Sequence, residues 1–235
     1  MKGTRTTANS SCSRGMDNGR MPSAAHDSPS VRFASSFIYL ASQSPRRGQL
    51  LDQIGVAHRP LVADADEDAE TLEKEQPGEL PLVYVERVVL LKLKAARDRL
   101  KRRALPEAPI LCADTTVAVG RRILHKPGSA DDAMSMLRLL SGRTHRVMTA
   151  VAVSAGRRSL LQTSISHVRF AALSEHRLRR YVDSGEPQGK AGAYAVQGRI
   201  AAWIEHIEGS YSGIMGLPLN ETRVLLASAR VRMGM

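Results

Sequence analysis

Aromatic side chains are scarce in this 235-residue chain, which has three Phe, five Tyr and one Trp. Platforms that stack single-stranded bases interleave such rings with basic residues. The basic clusters here, RDRLKRR at 97–103 among them, contain none. Nucleic acid is therefore not an expected partner, and that cluster reads as the solvated end of a helix. Cysteine is as rare: Cys12 and Cys112 cannot build a disulfide framework, and Cys112 in PILCA reads as a buried free thiol suited to a reducing cytoplasm. No apolar run approaches the roughly 18–20 residues that cross a bilayer, so a soluble, cytoplasmic protein with no membrane contact is expected. None of the seven His stands at metal-ligand spacing from another His, a Cys or a carboxylate, which argues against zinc.

What is present suits a globular enzyme. Hydrophobic residues make up 43% of the chain and charged residues 24%, enough for one sizeable core. The net charge of +11 points to a polyanionic partner, once the share of residues 1–36 is set aside. That segment is rich in Ser, Gly, Asn, Asp and Arg, lacks an apolar period and reads as a disordered extension. Residues 37–235 read as one domain. FIYLAS (37–42) predicts a strand, and Ser44, Pro45 and Gly55 bracket a helix. The acidic stretch 64–79 reads as a loop, followed by a helix over about 80–103 with Val85, Val88, Val89, Leu91 and Ala95 as core candidates. Two strands flank GRR in hairpin fashion. Ser129 and Gly142, then Ser174 and Gly185, bracket two further helices around a pair of strands. A Gly-rich stretch leads to a strand, AAWIEHI, and a last helix after Pro218. Strands and helices alternate but hairpins interrupt them, which predicts an α/β fold with a mixed sheet.

Several residues point to chemistry on an anion. In ASQSPRR, two hydroxyls (Ser42, Ser44) and two guanidiniums (Arg46, Arg47) converge on a helix N-terminus. Cations there oppose the helix dipole unless a bound anion offsets them. Asp114 leaves the apolar run ILCA just before Thr115 and Thr116, a suitable place for a metal ligand or a base for water, though a turn-capping Asp is as common. Lys126 lies just beyond the hairpin, Lys92 is one of several helix lysines, and Glu67 is one of a run of acids. Lys190 has small neighbours that let backbone approach a ligand, and the amide of Gln197 suits a base edge.

Taken in succession, LASQSPRR (40–47), ADTTV (113–117), LHKP, LSGRTHRVMTAVAV (140–153), GKAGAYAVQG (189–198) and EGSYSGIMGLPLNET (208–222) resemble the Maf family of nucleotide pyrophosphatases. The likeness covers about residues 37–227. It implies a two-lobed single α/β domain around a mixed sheet, similar to inosine triphosphatases, with a nucleotide-binding cleft between the lobes. It also implies hydrolysis of a nucleoside triphosphate to monophosphate and pyrophosphate with Mg²⁺ or Mn²⁺, and a homodimer. By the same resemblance Asp114 is the catalytic carboxylate, and Glu67 joins it in catalysis and metal binding. Ser42, Arg47, Lys92 and Lys126 contact phosphates, with Lys92 preferred over Lys94. Arg46, Thr115 and Gln197 set the base preference, and these three residue types match the dTTP/UTP branch rather than the 7-methyl-GTP branch. Ala195 and the tripeptide RIA at 199–201 depart from the usual pattern around the base. Two alternatives stand beside this reading: a pyrophosphatase for non-canonical or modified nucleotides, and a non-catalytic nucleotide-binding regulator of septum formation.

Overall fold

Ile38, Tyr39 and Leu40 are apolar or aromatic on both faces and all three are buried, so the run forms an interior strand, β1 (Ile38–Leu40). In the computed structural model, which describes residues 35–64, 67 and 69–234, β1 lies parallel to β2 (His58–Pro60) on one side and to β3 (Ile110–Val119) on the other. The chain then turns through Gly120, whose positive φ of 57° permits the tight reversal into β4 (Arg122–Leu124). Antiparallel pairing continues through β5 (Thr144–Ala155), β6 (Arg158–Phe170) and β7 (Ile204–Glu208). The strand order is β2-β1-β3-β5-β6-β7, with β4 against β3. This is the expected mixed sheet of an α/β protein.

The pairing of β3 decides where a cleft opens. One edge is matched to β5 continuously from Leu111 to Ala118. The other edge is divided: β1 pairs with Ile110 and Leu111, and β4 only with Val117, Ala118 and Val119. Between those partners, β3 carries Asp114 past an edge that no named strand occupies.

Helices clothe the two ends of the sheet separately. The helix α1 (Pro45–Gln53) and α7 (Leu219–Ser228) pack Leu50, Leu51, Leu225 and Leu226 against Ile38, Leu40, Leu111 and Val153. The long α3 (Pro81–Arg102) covers the opposite face of this end with Val85, Val88, Val89, Leu93 and Ala96. At the other end, α4 (Ala130–Leu140) and α5 (Glu175–Asp183) bury Met134, Leu137, Leu140 and Leu178 with Phe170 and Tyr194. Complete burial of each such side chain contributes about 1.5–3 kcal/mol before conformational entropy is set against it. The α4 terminus follows its sequence: the Ser129 hydroxyl accepts the Asp132 amide at 3.1 Å, and Asp131 and Asp132 face the positive end. These two groups of helices give the domain its two lobes.

Some elements differ from expectation. The 64–79 stretch contains a four-residue helix, α2 (Ala69–Leu72), and a short α6 (Tyr211–Met215) precedes Gly216. The strand expected from residue 201 starts at Ile204, because residues 199–203 coil into a 3₁₀ turn. Leu91 and Ala95 are only half-buried; the inward stripe of α3 passes instead through Leu93, Ala96 and Arg99. The expected N-terminal extension falls on residues outside the described ones up to residue 34. Ser35, placed in that extension by sequence, bridges to Val231, and its carbonyl accepts the Arg232 amide at 3.1 Å.

Candidate active site

Side chains alternate across β3, so Asp114 shares a face with Cys112 and Ala118, toward α3. Asp114 is 9% exposed, and its Oδ1 accepts the Lys92 ammonium at 2.6 Å. The same ammonium donates to Glu73 Oε1 at 2.7 Å, and Lys126 donates to Glu73 Oε2 at 3.1 Å. Burial alone would lower the Lys92 pKa, but the Asp114 and Glu73 carboxylates outweigh it and hold the group above its ordinary value. Lys92 is thus a fixed cation at neutral pH. Glu73 is the converse case: burial works to raise its pKa, yet Lys92 and Lys126 hold it below the usual carboxylate range. Lys94, two residues on, is exposed.

Thr115 points to the other face, where its hydroxyl lies 3.0 Å from that of Thr149, which in turn donates to the Gly213 carbonyl at 2.8 Å. Here α1 presents its N-terminus. Ser44 occupies the cap position, but its side chain makes no capping bond, and no acid stands in the first turn. Arg47 instead donates from Nε to the Gly216 carbonyl at 2.8 Å and from a terminal nitrogen to Ser42 Oγ at 2.9 Å. Arg46 Nε donates to the Met215 carbonyl at 3.3 Å. Gly216 has a φ of 118° and lies against both Arg47 and Thr115, so a residue with a side chain there would be strained. The last residue of α6 and the glycine after it therefore fix both guanidiniums at a helix end whose dipole repels them. That arrangement favours an incoming anion.

These groups line one cleft of about 460 Å³. Among the described residues, Arg46, Arg47, Lys92, Arg99, Lys126 and Lys190 bring six cations to it, against Glu73 and Asp114. Part of its wall is apolar, built from Val117, Val147, Tyr194, Val196 and Ile214. Gly192, with φ 69°, lets the 189–198 segment close on this wall, since a Cβ there would meet Val117 Cγ1 at 2.8 Å. Tyr194 is held from behind by His145, 2% exposed, whose Nε2 lies 2.7 Å from the Tyr194 hydroxyl. Burial pushes the His145 pKa down to about 4, so the imidazole is neutral near pH 7.

The chain matches the model of the Maf-like protein family over residues 37–229. It belongs to the Maf family. It is 59% identical over 199 residues to the dTTP/UTP pyrophosphatase of a Polaromonas species, covering 85% of this chain and 98% of that one. The dTTP/UTP pyrophosphatase of Albidiferax ferrireducens is 60% identical over 194 residues, covering 83% and 97%. That of Cupriavidus pinatubonensis is 59% identical over 196 residues, covering 83% and 98%. A solved structure, the nucleoside-triphosphatase / dITP/XTP pyrophosphatase of Mycobacterium abscessus, aligns with TM-score 0.35 and 18% identity over 58% of this chain and 75% of that one.

Of the nine residues to which the family resemblance gives a role in this Maf chain, seven come together in the cleft, Ser42, Arg46, Arg47, Lys92, Asp114, Thr115 and Lys126, joined by Ser44 and Lys190. Two of the nine do not. Glu67 is held by Arg99 through two bonds of 2.8 and 2.5 Å and by Arg102 at 2.6 Å, and it is absent from the lining. Those hydrogen bonds, from Arg99 first, draw its pKa down to about 2. Gln197 is exposed and also absent from the lining, although its neighbour Val196 takes part. Conversely Glu73, one of the acids of the 64–79 stretch, enters the cleft without a distinct sequence signal, and so does Arg99 of the RDRLKRR cluster, which is buried on α3 rather than solvated as expected. Among the described residues no three His, Cys, Asp or Glu form a metal-holding group. A hard cation that keeps most of its waters and takes further oxygens from a bound phosphate chain needs only one or two protein carboxylates. Asp114, buried and set among phosphate-type cations, fits that donor set.

Proposed function

We propose that this Maf protein hydrolyses dTTP and UTP between the α and β phosphates, releasing pyrophosphate and a nucleoside monophosphate in the cytoplasm. The observation that carries the reading is the concentration of six cations around one buried carboxylate, Asp114, at the unpaired edge of β3. The three pyrophosphatase relatives support the choice of substrate. A triphosphate carries enough charge to offset that surplus, whereas a neutral ligand would leave it uncompensated.

In this mechanism Arg47, fixed by Gly216 and Ser42, and Lys126 hold the β and γ phosphates in line with the attacking water. Lys92 stays charged, orients Asp114 through the Oδ1 bond and opposes the negative charge that grows on the leaving pyrophosphate. Asp114 turns its other oxygen to the water that attacks the α-phosphorus. Asp114 would hold Mg²⁺ or Mn²⁺, and the cation would supply charge neutralisation on the phosphates; Glu67, the second ligand implied by the family resemblance, is bound by Arg99 and Arg102 outside the cleft and would have to leave them to share it. The apolar wall around Tyr194 excludes water from the base side.

The test is pyrophosphate release from dTTP, UTP, CTP, ATP, GTP and 7-methyl-GTP by wild type and by Gln197→Glu. Wild type should favour dTTP and UTP over CTP, whose amino group and bare N3 reverse the hydrogen bonds offered. If Gln197 turns to the base when nucleotide binds, the variant should lose about tenfold or more in kcat/KM on those two, since a carboxylate cannot donate to O4. Equal rates on CTP and UTP by wild type would refute the substrate assignment, and an unchanged variant profile would remove Gln197 from base recognition.

A further inference from the structure

Glu73 is the feature that the proposed reaction leaves without a task. Its carboxylate accepts Lys92 on one oxygen and Lys126 on the other. Both lysines are phosphate contacts in the reading above, on which this inference rests. Two oxygens on one carbon, each facing a different ammonium, present those cations with the same bonds as two oxygens of a phosphate. The backbone that carries it is also anchored. Tyr84, on α3, donates its hydroxyl to the Glu73 carbonyl at 2.7 Å and fixes the backbone at the mouth of the cleft. The Glu73 side chain is 29% exposed and Lys126 is 58% exposed, so solvent screens these bonds and a stronger anion can displace them. Asp114, at 12% side-chain exposure, is the less replaceable partner of Lys92.

We propose that Glu73 is a built-in competitor for the phosphate sites, occupying Lys92 and Lys126 when the cleft is empty and yielding them to a nucleotide. A small anion that reaches only these lysines must displace the carboxylate and gains little. A triphosphate also engages Arg47 and the start of α1, which Glu73 does not touch. The device therefore discriminates against short phosphates, and it returns to the lysines as pyrophosphate leaves.

The experiment is calorimetric titration of the full chain with inorganic pyrophosphate, in EDTA at low salt, for wild type, Glu73→Gln and Glu75→Gln. Glu75 makes the same charge change beside His125 rather than at the two lysines. Glu73→Gln should tighten pyrophosphate about tenfold, the sum expected of two partly exposed ion pairs, and the gain should shrink as salt rises. Glu75→Gln should stay within about twofold of wild type. With UTP, Glu73→Gln should show a lower KM without a higher kcat. Unchanged or weaker pyrophosphate binding in Glu73→Gln would overturn the proposal, as would equal tightening by both variants. A raised Mg²⁺ requirement with lower kcat would overturn it too, and would make Glu73 a cation ligand. Binding of pyrophosphate needs no turnover, so a wild type that cleaves no triphosphate refutes the proposed reaction while the titration still judges Glu73.

Discussion

Mild acid should weaken this protein through one buried imidazole. His145 lies between Phe170 and Tyr194, with ring centroids 5.0 and 5.4 Å away in edge-to-face packing, and is 2% exposed. Burial sets its folded-state pKa at about 4, against about 6.5 in an unfolded chain. Between those values the unfolded chain takes up a proton that the folded one refuses. Stability is thus complete above pH 6.5 and falls as the pH drops through about 4. Linkage puts the loss at about 2 kcal/mol by pH 5 and about 3 kcal/mol at pH 4, relative to pH 7. Urea unfolding of wild type and His145→Gln at pH 7, 6 and 5 isolates this contribution. Glutamine can still bond the Tyr194 hydroxyl but does not titrate, so its packing cost is the same at every pH. The wild-type advantage should shrink by about 2 kcal/mol between pH 7 and pH 5. Parallel stability curves over that range would refute the assignment of a neutral, buried His145.

Two further outcomes follow from the ion pairs. Asp114→Asn should keep nucleotide affinity in equilibrium binding but lose about 10²–10⁴-fold in kcat, and near-normal steady-state turnover would remove Asp114 from the mechanism. Glu67 has its pKa drawn down to about 2 by Arg99 and Arg102, so its contribution is complete above pH 4.5 and disappears on acidification toward pH 2. The urea midpoint of wild type should therefore exceed that of Glu67→Gln at pH 6, with the gap closing over that acid range; a constant gap would show that the pairs do not hold the loop.

Local chemistry made much of the fold readable. Ser129 and Ser174 cap their helices as their positions suggest, the latter accepting the Arg177 amide at 3.4 Å. Gly142 and Gly185 take the positive φ that ends those helices. Asp114 and the two arginines of α1 stood out because a charge after an apolar run or at a helix start is costly without a partner, although Asp114 proves to lie within β3 rather than at a strand end. What stayed hidden depended on tertiary packing. The acids from 64 to 79 share one composition, and only the fold directs Glu73 to the lysines and Glu67 to Arg99 and Arg102. The helix pattern of α3 likewise reads Leu91 as core and Lys92 as surface, whereas Lys92 is drawn inward by Asp114. The strand β2 and the helix α6, three and five residues long, are too short to show a period.

The continuous pairing of β3 with β5 has a consequence for exchange of amide hydrogens. Eight successive residue pairs run past the level of Asp114 without a break, while the cleft lies on the opposite edge. Residues flanking that carboxylate, from Leu111 to Ala118, are almost all buried. Amides bonded into such a ladder lose protection only when the whole domain opens. Asp114 is therefore expected among the slowest-exchanging residues, and the cations around it reach the cleft as side chains from α1, α3 and the segments that hold Lys126 and Lys190. Those side chains can change rotamer while the strand that carries Asp114 keeps its register.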